Sequence, residues 1–286
     1  MEVHATIQAF RRAKRRLKGD LGLVLTMGYL HEGHLSLVRA AKAANEHVAA
    51  TIFVNPTQFG PNEDLSSYPR DLDRDLALLQ AEGVDLVLTP VPEEVYPPGF
   101  DSSIDPGRVA EPLEGAHRPG HFRGVVTVVA KLFNIVQPTR AYFGQKDAQQ
   151  VAVIRRMARD LDFPVDIVTV PTVREPDGLA MSSRNVYLTL DERRAARCLS
   201  QGLADAASAW SNGQRDAKTL TAAVRDAMSR EPLIQLEYVS LANAETLEEL
   251  TGAVTSPALL SLAARASKAR LIDNVVLGAV PSASRR

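Results

Sequence analysis

Strand-like apolar runs and helical segments alternate through the first 170 residues of this 286-residue chain. The apolar runs that predict buried strands cover residues 21–25, 48–54, 85–89, 141–144 and 164–170. Segments with the apolar spacing of a helix cover residues 35–44, 71–82, 124–136 and 147–161. Strands that alternate with helices in this way usually form a parallel sheet with helices on both faces. The alternation therefore predicts a doubly wound, Rossmann-like α/β domain.

The pattern changes near residue 173, where the alternation of strands and helices ends. Two Ala-rich helical segments are followed by three strand-like runs, at residues 191–210, 216–229, 236–240, 258–263 and 271–276. Helices followed by consecutive strands are typical of an α+β arrangement. The sequence therefore predicts two domains, a Rossmann-like domain at residues 1–173 and a smaller C-terminal α+β domain at residues 174–286.

Composition and charge argue against several classes of protein. The net charge is −1 at pH 7, which gives no electrostatic reason to expect nucleic acid or an acidic membrane surface as a partner. No apolar run reaches the roughly 18 residues that a membrane-spanning helix needs. Near the start of the chain, Ile7, Phe10 and Leu17 are spaced as in an amphipathic helix, which does not resemble a signal peptide. A single cysteine, Cys198, leaves no internal disulfide, and a reducing cytoplasm is the expected location.

The turn after the first of these apolar runs carries two histidines. Residues 26–34 have the sequence Thr-Met-Gly-Tyr-Leu-His-Glu-Gly-His and lead into an Ala-rich helix. His31 and His34 are therefore expected at the carboxyl end of a strand, where ligands bind in an open α/β sheet. The unpaired backbone N–H groups at the start of a helix also attract anions. Two imidazoles in this position suit a nucleotide phosphate whose charge grows during a reaction.

Two other interpretations of this turn stay open on the residues alone. Zinc sites often use the two histidines of a His-Glu-x-x-His helix. Here the spacing is one residue shorter, so the two rings are not expected one helical turn apart. A purely structural role is the other interpretation, since strand–turn–helix connections with glycines occur in any doubly wound protein. The phosphate site is the favoured hypothesis.

Further polar clusters follow other parts of the predicted sheet. Residues 55–60 place Gln58 beside Phe59, which suits recognition of a small hydroxylated and partly apolar substrate. The sequence Gly-His-Phe-Arg-Gly at residues 120–124 leads into a helix. Taken singly, the first cluster also fits an ordinary turn, and the second also fits a capped helix start with solvated charges.

The turn after residue 144 places charged groups at another strand end. Lys146 can act there as a point charge on a phosphate, and Asp147 can cap the next helix or hold a ribose hydroxyl. Gln150 is expected one turn further along the helix, facing the same crevice. The competing interpretation is a solvated lysine with no ligand.

The segment at residues 174–185 joins the two predicted domains. It contains Gly178 and ends with two hydroxyls and a guanidinium, from Ser182, Ser183 and Arg184. These groups can close on phosphates. Because no apolar periodicity pins the segment, we expect it to be held weakly without a ligand and to become ordered when a phosphate ligand binds.

Five motifs occur together and in order along the chain. They are Thr-Met-Gly-x-Leu-His-x-Gly-His, Phe-Val-Asn-Pro-x-Gln-Phe, Gly-His-Phe-Arg-Gly, Phe-Gly-x-Lys-Asp and Met-Ser-Ser-Arg-Asn. With them the chain resembles, over nearly its whole length, the pantothenate synthetase (pantoate–β-alanine ligase) family of the His-x-Gly-His nucleotidyltransferase superfamily. One position departs from the family pattern, since Leu25 stands where a proline usually precedes Thr-Met-Gly.

The resemblance implies an ATP-dependent ligase that uses Mg²⁺. Pantoate would react with ATP to give pantoyl adenylate and pyrophosphate, and the amine of β-alanine would then displace AMP to give pantothenate. The first domain would bind nucleotide and pantoate, and the C-terminal domain would act as a lid. The resemblance also implies a homodimer formed through the first domain. The protein ligands of Mg²⁺ are unknown at this stage, with Asp75 as a candidate.

The resemblance assigns roles to individual residues. The catalytic set is His31, His34, Lys146, Ser182 and Arg184. The ATP-binding set is Met27, His31, His34, Gly144, Lys146, Asp147, Val173, Met181, Ser182, Ser183 and Arg184. The pantoate-binding set is Met27, Gln58, Phe59, Phe143 and Gln150.

Two rival functions come from different classes. The first is another nucleotidyltransferase of the same fold that acts on a phosphate ester; it would not need the two glutamines, and pantoate would not stimulate its pyrophosphate exchange. The second is a nucleotide-binding protein without catalytic activity. Both histidines, Lys146 and the Ser-Ser-Arg sequence are present, which argues against the second rival.

Overall fold

The computed structural model describes residues 1–61 and 63–278. The chain divides into two compact units. The first contains Met1–Gln145 and Gln149–Pro171, and the second contains Lys146–Ala148 together with the chain from Thr172 onward. The short segment Lys146–Ala148 thus groups with the C-terminal part of the chain.

The first unit is built on a six-stranded parallel sheet. Its strands are β1 (Glu2–His4), β2 (Leu21–Thr26), β3 (His47–Ile52), β4 (Leu86–Leu88), β5 (Arg140–Gly144) and β6 (Asp166–Val170). Their order in the sheet is β1-β4-β3-β2-β5-β6, and every pair is parallel. Chain order reverses direction beside β2, between β3 and β5. The carboxyl end of β2 is therefore at the kind of crevice in which α/β proteins bind ligands.

Helices cover both faces of this sheet. They are α1 (Ile7–Lys14), α2 (Glu32–Ala44), α3 (Leu72–Ala81), α4 (Pro92–Val95), α5 (Glu114–His117), α6 (His121–Val136) and α7 (Ala148–Asp160). One apolar cluster includes Phe10, Phe122 and Phe133, and a second includes Val38 and Leu79. Burial of most of α6 explains its nearly continuous apolar sequence, since only Arg123 and Asn134 are exposed along it.

The second unit combines two helices with an antiparallel sheet. The helices are α8 (Leu190–Ser211) and α9 (Ala217–Ser229), and the strands are β7 (Gln235–Asn243), β8 (Ala258–Ala266) and β9 (Ala269–Leu277). The sheet order is β7-β8-β9, with both pairs antiparallel. Helix α8 begins with a capping box in which Thr189 and Glu192 satisfy each other's backbone N–H groups. The predicted fold class, a Rossmann-like parallel sheet with a smaller C-terminal α+β part, is confirmed.

The structure adds elements that the apolar pattern does not predict. Strand β1 pairs with β4 at the sheet edge but has only three residues, none of them fully buried. The Pro- and Gly-rich region from residue 97 to 120 contains a 3-10 turn at Arg108–Ala110 and helix α5. Among residues 1–61 and 63–278, no helix combines the length and apolarity needed to cross a bilayer.

Candidate active site

The turn between β2 and α2 has an unusual backbone. Gly28 has a φ of +87°, in the region that favours glycine, and Tyr29 follows with a φ of +51°. A Cβ atom on Gly28 would lie only 3.1 Å from the Asp75 carboxylate. Thr26 Oγ1 donates to the Thr51 carbonyl oxygen at 2.8 Å and accepts from the Gly28 N–H at 3.3 Å. Glycine is therefore required here both for its backbone angle and for the close approach of α3.

The two histidines of the motif lie together at the start of α2. His31 Nδ1 accepts from the Gly33 backbone N–H at 3.1 Å. The backbone N–H of His31 donates to His34 Nδ1 at 3.3 Å, and the ring centroids are 4.1 Å apart. Because Nδ1 is an acceptor in both rings, each neutral imidazole carries its proton on Nε2. The helix start thus presents two imidazole N–H donors suited to a phosphate.

A buried carboxylate from α3 binds the backbone of the same turn. The two oxygens of Asp75 accept from the N–H groups of Tyr29 and Leu30, each at 2.7 Å. Burial raises the pKa of Asp75, although these two hydrogen bonds oppose the shift. The Arg74 guanidinium lies 3.8 Å from the carboxylate and 5.5 Å from the centroid of the Tyr29 ring.

Gln58 is held in one orientation by its neighbours. Asn55, which is 1% exposed, donates through Nδ2 to Gln58 Oε1 at 3.0 Å and to the Gly124 carbonyl oxygen at 3.2 Å. Gln58 Nε2 in turn lies 3.2 Å from the sulfur of Met27. A Cβ atom on Gly124 would lie 2.3 Å from the Thr57 carbonyl oxygen. Because Gly124 has no side chain, α6 can approach the turn that carries Gln58.

A buried histidine on α6 supports the backbone of Gln58. His121 Nδ1 lies 2.8 Å from the Gln58 carbonyl oxygen, and its Nε2 lies 3.0 Å from the Arg118 guanidinium. Burial, and then the charge of Arg118, lowers the pKa of His121 to about 4. The neutral ring therefore donates from Nδ1 to Gln58 and accepts at Nε2. Arg118 completes the chain with two bonds to the Glu63 carboxylate, at 2.7 and 2.8 Å.

In the second unit, residues 173–181 form a hairpin. Its strands meet at a bridge between Arg174 and Ala180, and Met181 N–H donates to the Val173 carbonyl oxygen at 3.0 Å. Arg174 donates to both oxygens of the buried Asp273, at 2.6 and 3.0 Å.

Contacts from α8 and from Asn185, in the turn after the hairpin, fix it further. Arg193 of α8 pairs with Glu175 and, at 3.0 Å, with Asp177. Asn185 Nδ2 donates to Glu175 Oε1 at 2.7 Å and to the Ala180 carbonyl oxygen at 3.1 Å. These polar contacts tie the hairpin to the body of the second unit.

The residues after the hairpin form a single 3-10 turn, Ser183–Tyr187. Ser182 precedes it, and its Oγ accepts from the Arg184 backbone N–H at 3.2 Å. The side chains of Met181, Ser182, Ser183 and Arg184 are half-buried. The turn thus holds two hydroxyls and a guanidinium in sequence next to a fixed hairpin.

Lys146 and Asp147 also belong to the second unit. Their side chains pair, with Lys146 Nζ 3.4 Å from Asp147 Oδ1. The buried Asn274 of β9 donates to the Lys146 carbonyl oxygen at 2.8 Å. This hydrogen bond fixes the backbone of Lys146, from which its long side chain extends.

Comparison with known proteins gives the family. A family model for pantoate-beta-alanine ligase matches residues 1–276. The chain belongs to this family. It is 61% identical to the pantothenate synthetase of Roseiflexus castenholzii over 279 residues, which cover 98% of this chain and 100% of that protein.

Solved structures of similar proteins extend this result to the fold. The pantothenate synthetase of Thermus thermophilus superposes with a TM-score of 0.90 at 48% identity, covering 96% of this chain and 99% of that one. The pantoate-beta-alanine ligase of Francisella tularensis, solved in complex with beta-gamma ATP and beta-alanine, has a TM-score of 0.79 at 35% identity. That match covers 99% of this chain and 100% of that one. The resemblance predicted from the motifs is therefore confirmed.

Within each unit, the structure brings together several residues that the family resemblance singles out. His31 pairs with His34, Met27 with Gln58, Val173 with Met181, and Lys146 with Asp147. Phe143 is buried in the core of the first unit, and the Phe59 ring packs against Tyr68 with centroids 5.9 Å apart. Gly144 ends β5, and Gln150 lies half-buried in the first turn of α7. The binding roles of these pantoate-ligase-family positions stay predictions.

The segment at residues 174–185, which we expected to be weakly held, makes several contacts in the structure. Residues 174–180 are pinned by the Arg174–Asp273 and Arg193–Glu175 pairs, and Leu179 is almost fully buried. The sequence pattern underestimated these contacts because their partners, on α8 and β9, are distant in sequence. These contacts argue against a loosely held segment at residues 174–180, and the response of residues 174–185 to a ligand stays a prediction.

Asp75 does not fit the role of a magnesium ligand. It is 1% exposed, and each of its oxygens already accepts a backbone N–H at 2.7 Å. Mg²⁺ usually keeps several waters and binds through one or two accessible carboxylates together with substrate phosphates. In the part of the chain that the structure describes, no group of three or more His, Cys, Asp or Glu side chains could hold a metal ion.

Sequence reasoning gave no supporting role to three residues, although two of them, Asn55 and His121, stand in the motifs. Asn55 orients Gln58, and the Tyr96 hydroxyl donates to Asn55 Oδ1 at 2.8 Å. His121 holds the backbone of Gln58 from α6. A polar residue directly after a buried strand was a usable signal for Asn55. Tyr96 and His121 act through contacts between distant segments, which one sequence does not reveal.

Proposed function

We propose that this chain is an ATP-dependent ligase that condenses pantoate with β-alanine to form pantothenate. The observation that carries the proposal is the histidine pair at the start of α2, in which both Nδ1 atoms accept a backbone N–H, so that Nε2 is the donor of each neutral ring. The pair lies at the carboxyl end of the central strand β2. Membership of the pantoate-beta-alanine ligase family supports the same activity.

The proposed reaction has two steps. A carboxylate oxygen of pantoate attacks the α-phosphorus of ATP, forming an O–P bond while the bond to the β-phosphate oxygen breaks and pyrophosphate leaves. The amine of β-alanine then attacks the acyl carbon of pantoyl adenylate, and AMP leaves as the amide forms. No side chain needs to form a covalent bond with the substrate.

Charge is the main obstacle to the first step, since a carboxylate has to approach a polyanion. In this proposal the N–H donors of His31 and His34 and the ammonium of Lys146 stabilise the phosphate charge that develops in the transition state. Ser182 and Arg184 add a hydroxyl and a guanidinium. Mg²⁺ would accompany ATP and offset part of its charge when bound to the phosphate oxygens.

The remaining proposed contacts divide between nucleotide and pantoate. For ATP they are Met27, Gly144, Asp147, Val173, Met181 and Ser183, and for pantoate they are Met27, Gln58, Phe59, Phe143 and Gln150. The fixed orientation of Gln58 supports its part of this assignment, because an amide N–H group held in place can recognise a hydroxyl or carboxylate oxygen at little entropic cost.

We further propose that the protein is a cytoplasmic homodimer, with residues 1–173 binding the substrates and residues 174–286 acting as a lid. The family resemblance supports the dimer and the roles of the two domains, and the single cysteine supports a reducing compartment. Sedimentation of the purified protein tests the dimer, which should have a mass near twice the 31.0 kDa of one chain. A fully active monomer would contradict it.

A turnover assay separates the proposed activity from its rivals. ATP, Mg²⁺, pantoate and β-alanine are incubated with the protein, and pantothenate and AMP are quantified. Equal amounts of the two products, with no AMP formed when pantoate is omitted, are expected. A nucleotidyltransferase acting on a phosphate ester would form no pantothenate, and a protein that only binds nucleotide would form neither product.

A further inference from the structure

The turn that precedes the histidine pair binds a carboxylate of the protein itself. Gly28 and Tyr29 both have positive φ, and the N–H groups of Tyr29 and Leu30 point to a common place, as they do in backbone sites that bind anions. The carboxylate of Asp75 fills that place, with 2.7 Å to each nitrogen.

This contact continues directly into the two imidazoles. Leu30 N–H donates to Asp75, the next N–H, from His31, donates to His34 Nδ1, and Gly33 N–H donates to His31 Nδ1. A movement of the Leu30 backbone therefore displaces the hydrogen bond that fixes the neighbouring ring. The path from the carboxylate to the imidazoles thus runs through the backbone of the turn.

Burying the Asp75 carboxylate in this turn costs free energy, because a charged group loses its contact with water. Burial raises the pKa of Asp75 in spite of the two N–H donors, because removal from water disfavours the ionised form of a carboxylate. The two short hydrogen bonds hold the Tyr29 and Leu30 backbone on the path that leads into the histidines.

We propose that Asp75 is a positioning residue for the transfer of the adenylyl group, acting through the Tyr29 and Leu30 backbone on the orientation of His31 and His34. The inference rests on the proposed function, since it assigns the histidines to the reacting phosphate. It also gives Asp75 a role other than binding Mg²⁺, because both carboxylate oxygens are already bound to the protein.

The test compares Asp75→Asn with a matched control, Asp73→Asn. The asparagine has the size of the aspartate but has an amide N–H group where one of the two acceptors was, so one backbone N–H loses its partner. Asp73 is an exposed carboxylate on the same helix, two residues away. For both variants, kcat, the KM values for ATP and pantoate, the half-saturating Mg²⁺ concentration and the ¹⁵N NMR signals of the histidine rings are measured.

For Asp75→Asn we expect kcat to fall by about 10- to 100-fold, which is the usual cost of displacing a catalytic group by up to 1 Å. The KM values should change less than about threefold, because binding of both substrates in the ground state is retained. Mg²⁺ half-saturation should stay unchanged, and the ¹⁵N signals of His31 and His34 should move away from a single Nε2–H form. Asp73→Asn should match the unmodified protein throughout.

Three results would overturn the proposal. One is an unchanged kcat with unchanged histidine signals, which would leave Asp75 with a purely structural role. Another is a raised Mg²⁺ requirement with activity restored by excess Mg²⁺, which would make Asp75 a metal ligand. The third is fast hydrogen exchange of the Tyr29 and Leu30 amides in the unmodified protein, where the proposal expects strong protection.

The amide measurement keeps the proposal testable if Asp75→Asn does not fold. The histidine signals serve a different purpose, since they report positioning even if the unmodified protein makes no pantothenate. That last result would contradict the proposed function, while a change of the ring signals in Asp75→Asn would still support the positioning role.

Discussion

At the scale of single residues, the candidate site depends on groups whose hydrogen bonds fix what they present to a ligand. The two histidines accept at Nδ1 and so have donors at Nε2. Gln58 accepts at Oε1 from Asn55, so its amide N–H groups point away from Asn55. In both cases a hydrogen bond to a neighbouring residue leaves an N–H group of the side chain to donate. Each side chain therefore suits a ligand with an oxygen acceptor.

Removing one phosphate-stabilising group should slow the reaction without unfolding the protein. For His34→Ala and for Lys146→Ala we expect turnover to fall by about 10²- to 10³-fold, the usual loss when one transition-state donor is removed. Both side chains lie outside the apolar clusters, so thermal unfolding should change little. His117→Ala, at an exposed position of α5, is the matched control. Near-normal turnover of both variants would assign His34 and Lys146 a structural role.

Gln58 should act on pantoate rather than on ATP. An uncharged amide contributes hydrogen bonds to hydroxyl or carboxylate oxygens but little to a triphosphate. Gln58→Ala should therefore raise the KM for pantoate by about tenfold or more, the effect of losing one hydrogen bond to a charged group, with less change for ATP. Asn55→Ala should act in the same direction, because Gln58 loses its donor. Gln80→Ala, exposed on α3, is the control, and an equal loss of ATP affinity would refute the assignment.

At the scale of elements, the sequence predicted the central strands and most helices to within a few residues, for a clear physical reason. Strands buried on both faces, such as β2 and β3, are short continuous apolar runs bounded by polar turns. Strand β1 was missed because an edge strand of three residues has neither a long apolar run nor alternation.

The elements that shape the site were less visible in the sequence. The approach of α6 to the Gln58 turn depends on Gly124, and the hairpin at residues 173–181 depends on Asp273, nearly 100 residues away. Contacts of this kind join segments by tertiary packing, and neither composition nor periodicity encodes which segments meet. The motifs identified the residue types, while the structure identified their partners.

Contact between α6 and the Gln58 turn should make the fold sensitive to acid. His121 has a pKa of about 4 in the folded protein and an ordinary value of 6.5 when unfolded. Below pH 6.5 the unfolded chain takes up a proton that folded His121 does not, so stability falls until about pH 4. From this residue alone, the free energy of unfolding should decrease by about 2 kcal/mol between pH 7 and pH 5.

Urea unfolding of the unmodified protein and of His121→Asn at the two pH values measures this contribution. The asparagine keeps an N–H donor for the Gln58 carbonyl oxygen but does not titrate, so its stability should depend less on pH. Equal pH dependence in the two proteins would mean that His121 has the same pKa in the folded and unfolded states.

The hairpin and the turn after it should differ in their response to ligands. Ion pairs and buried side chains hold residues 174–180, so their amides should exchange slowly in the free protein. ATP with pantoate should slow exchange mainly in residues 182–184, where the hydroxyls and the guanidinium can bind phosphates. Arg184→Ala should remove most of this ligand-dependent protection. Slow exchange of residues 182–184 without ligand, unchanged on binding, would contradict any closure of this segment.

At the scale of the whole molecule, a parallel α/β unit and a smaller α+β unit occur in one chain with five family motifs in order. The near-complete match to pantoate-beta-alanine ligases extends across both units. We therefore assign one activity to the whole chain, and in the proposed order of reaction pantoate is activated by ATP before β-alanine reacts.

Isotope exchange between labelled pyrophosphate and ATP tests this central claim most directly. With Mg²⁺ and pantoate present and β-alanine absent, label should enter ATP, because formation of pantoyl adenylate is reversible while pyrophosphate is present. Without pantoate, no exchange is expected. Exchange that needed β-alanine, or that proceeded equally well without pantoate, would contradict the proposed order of reaction.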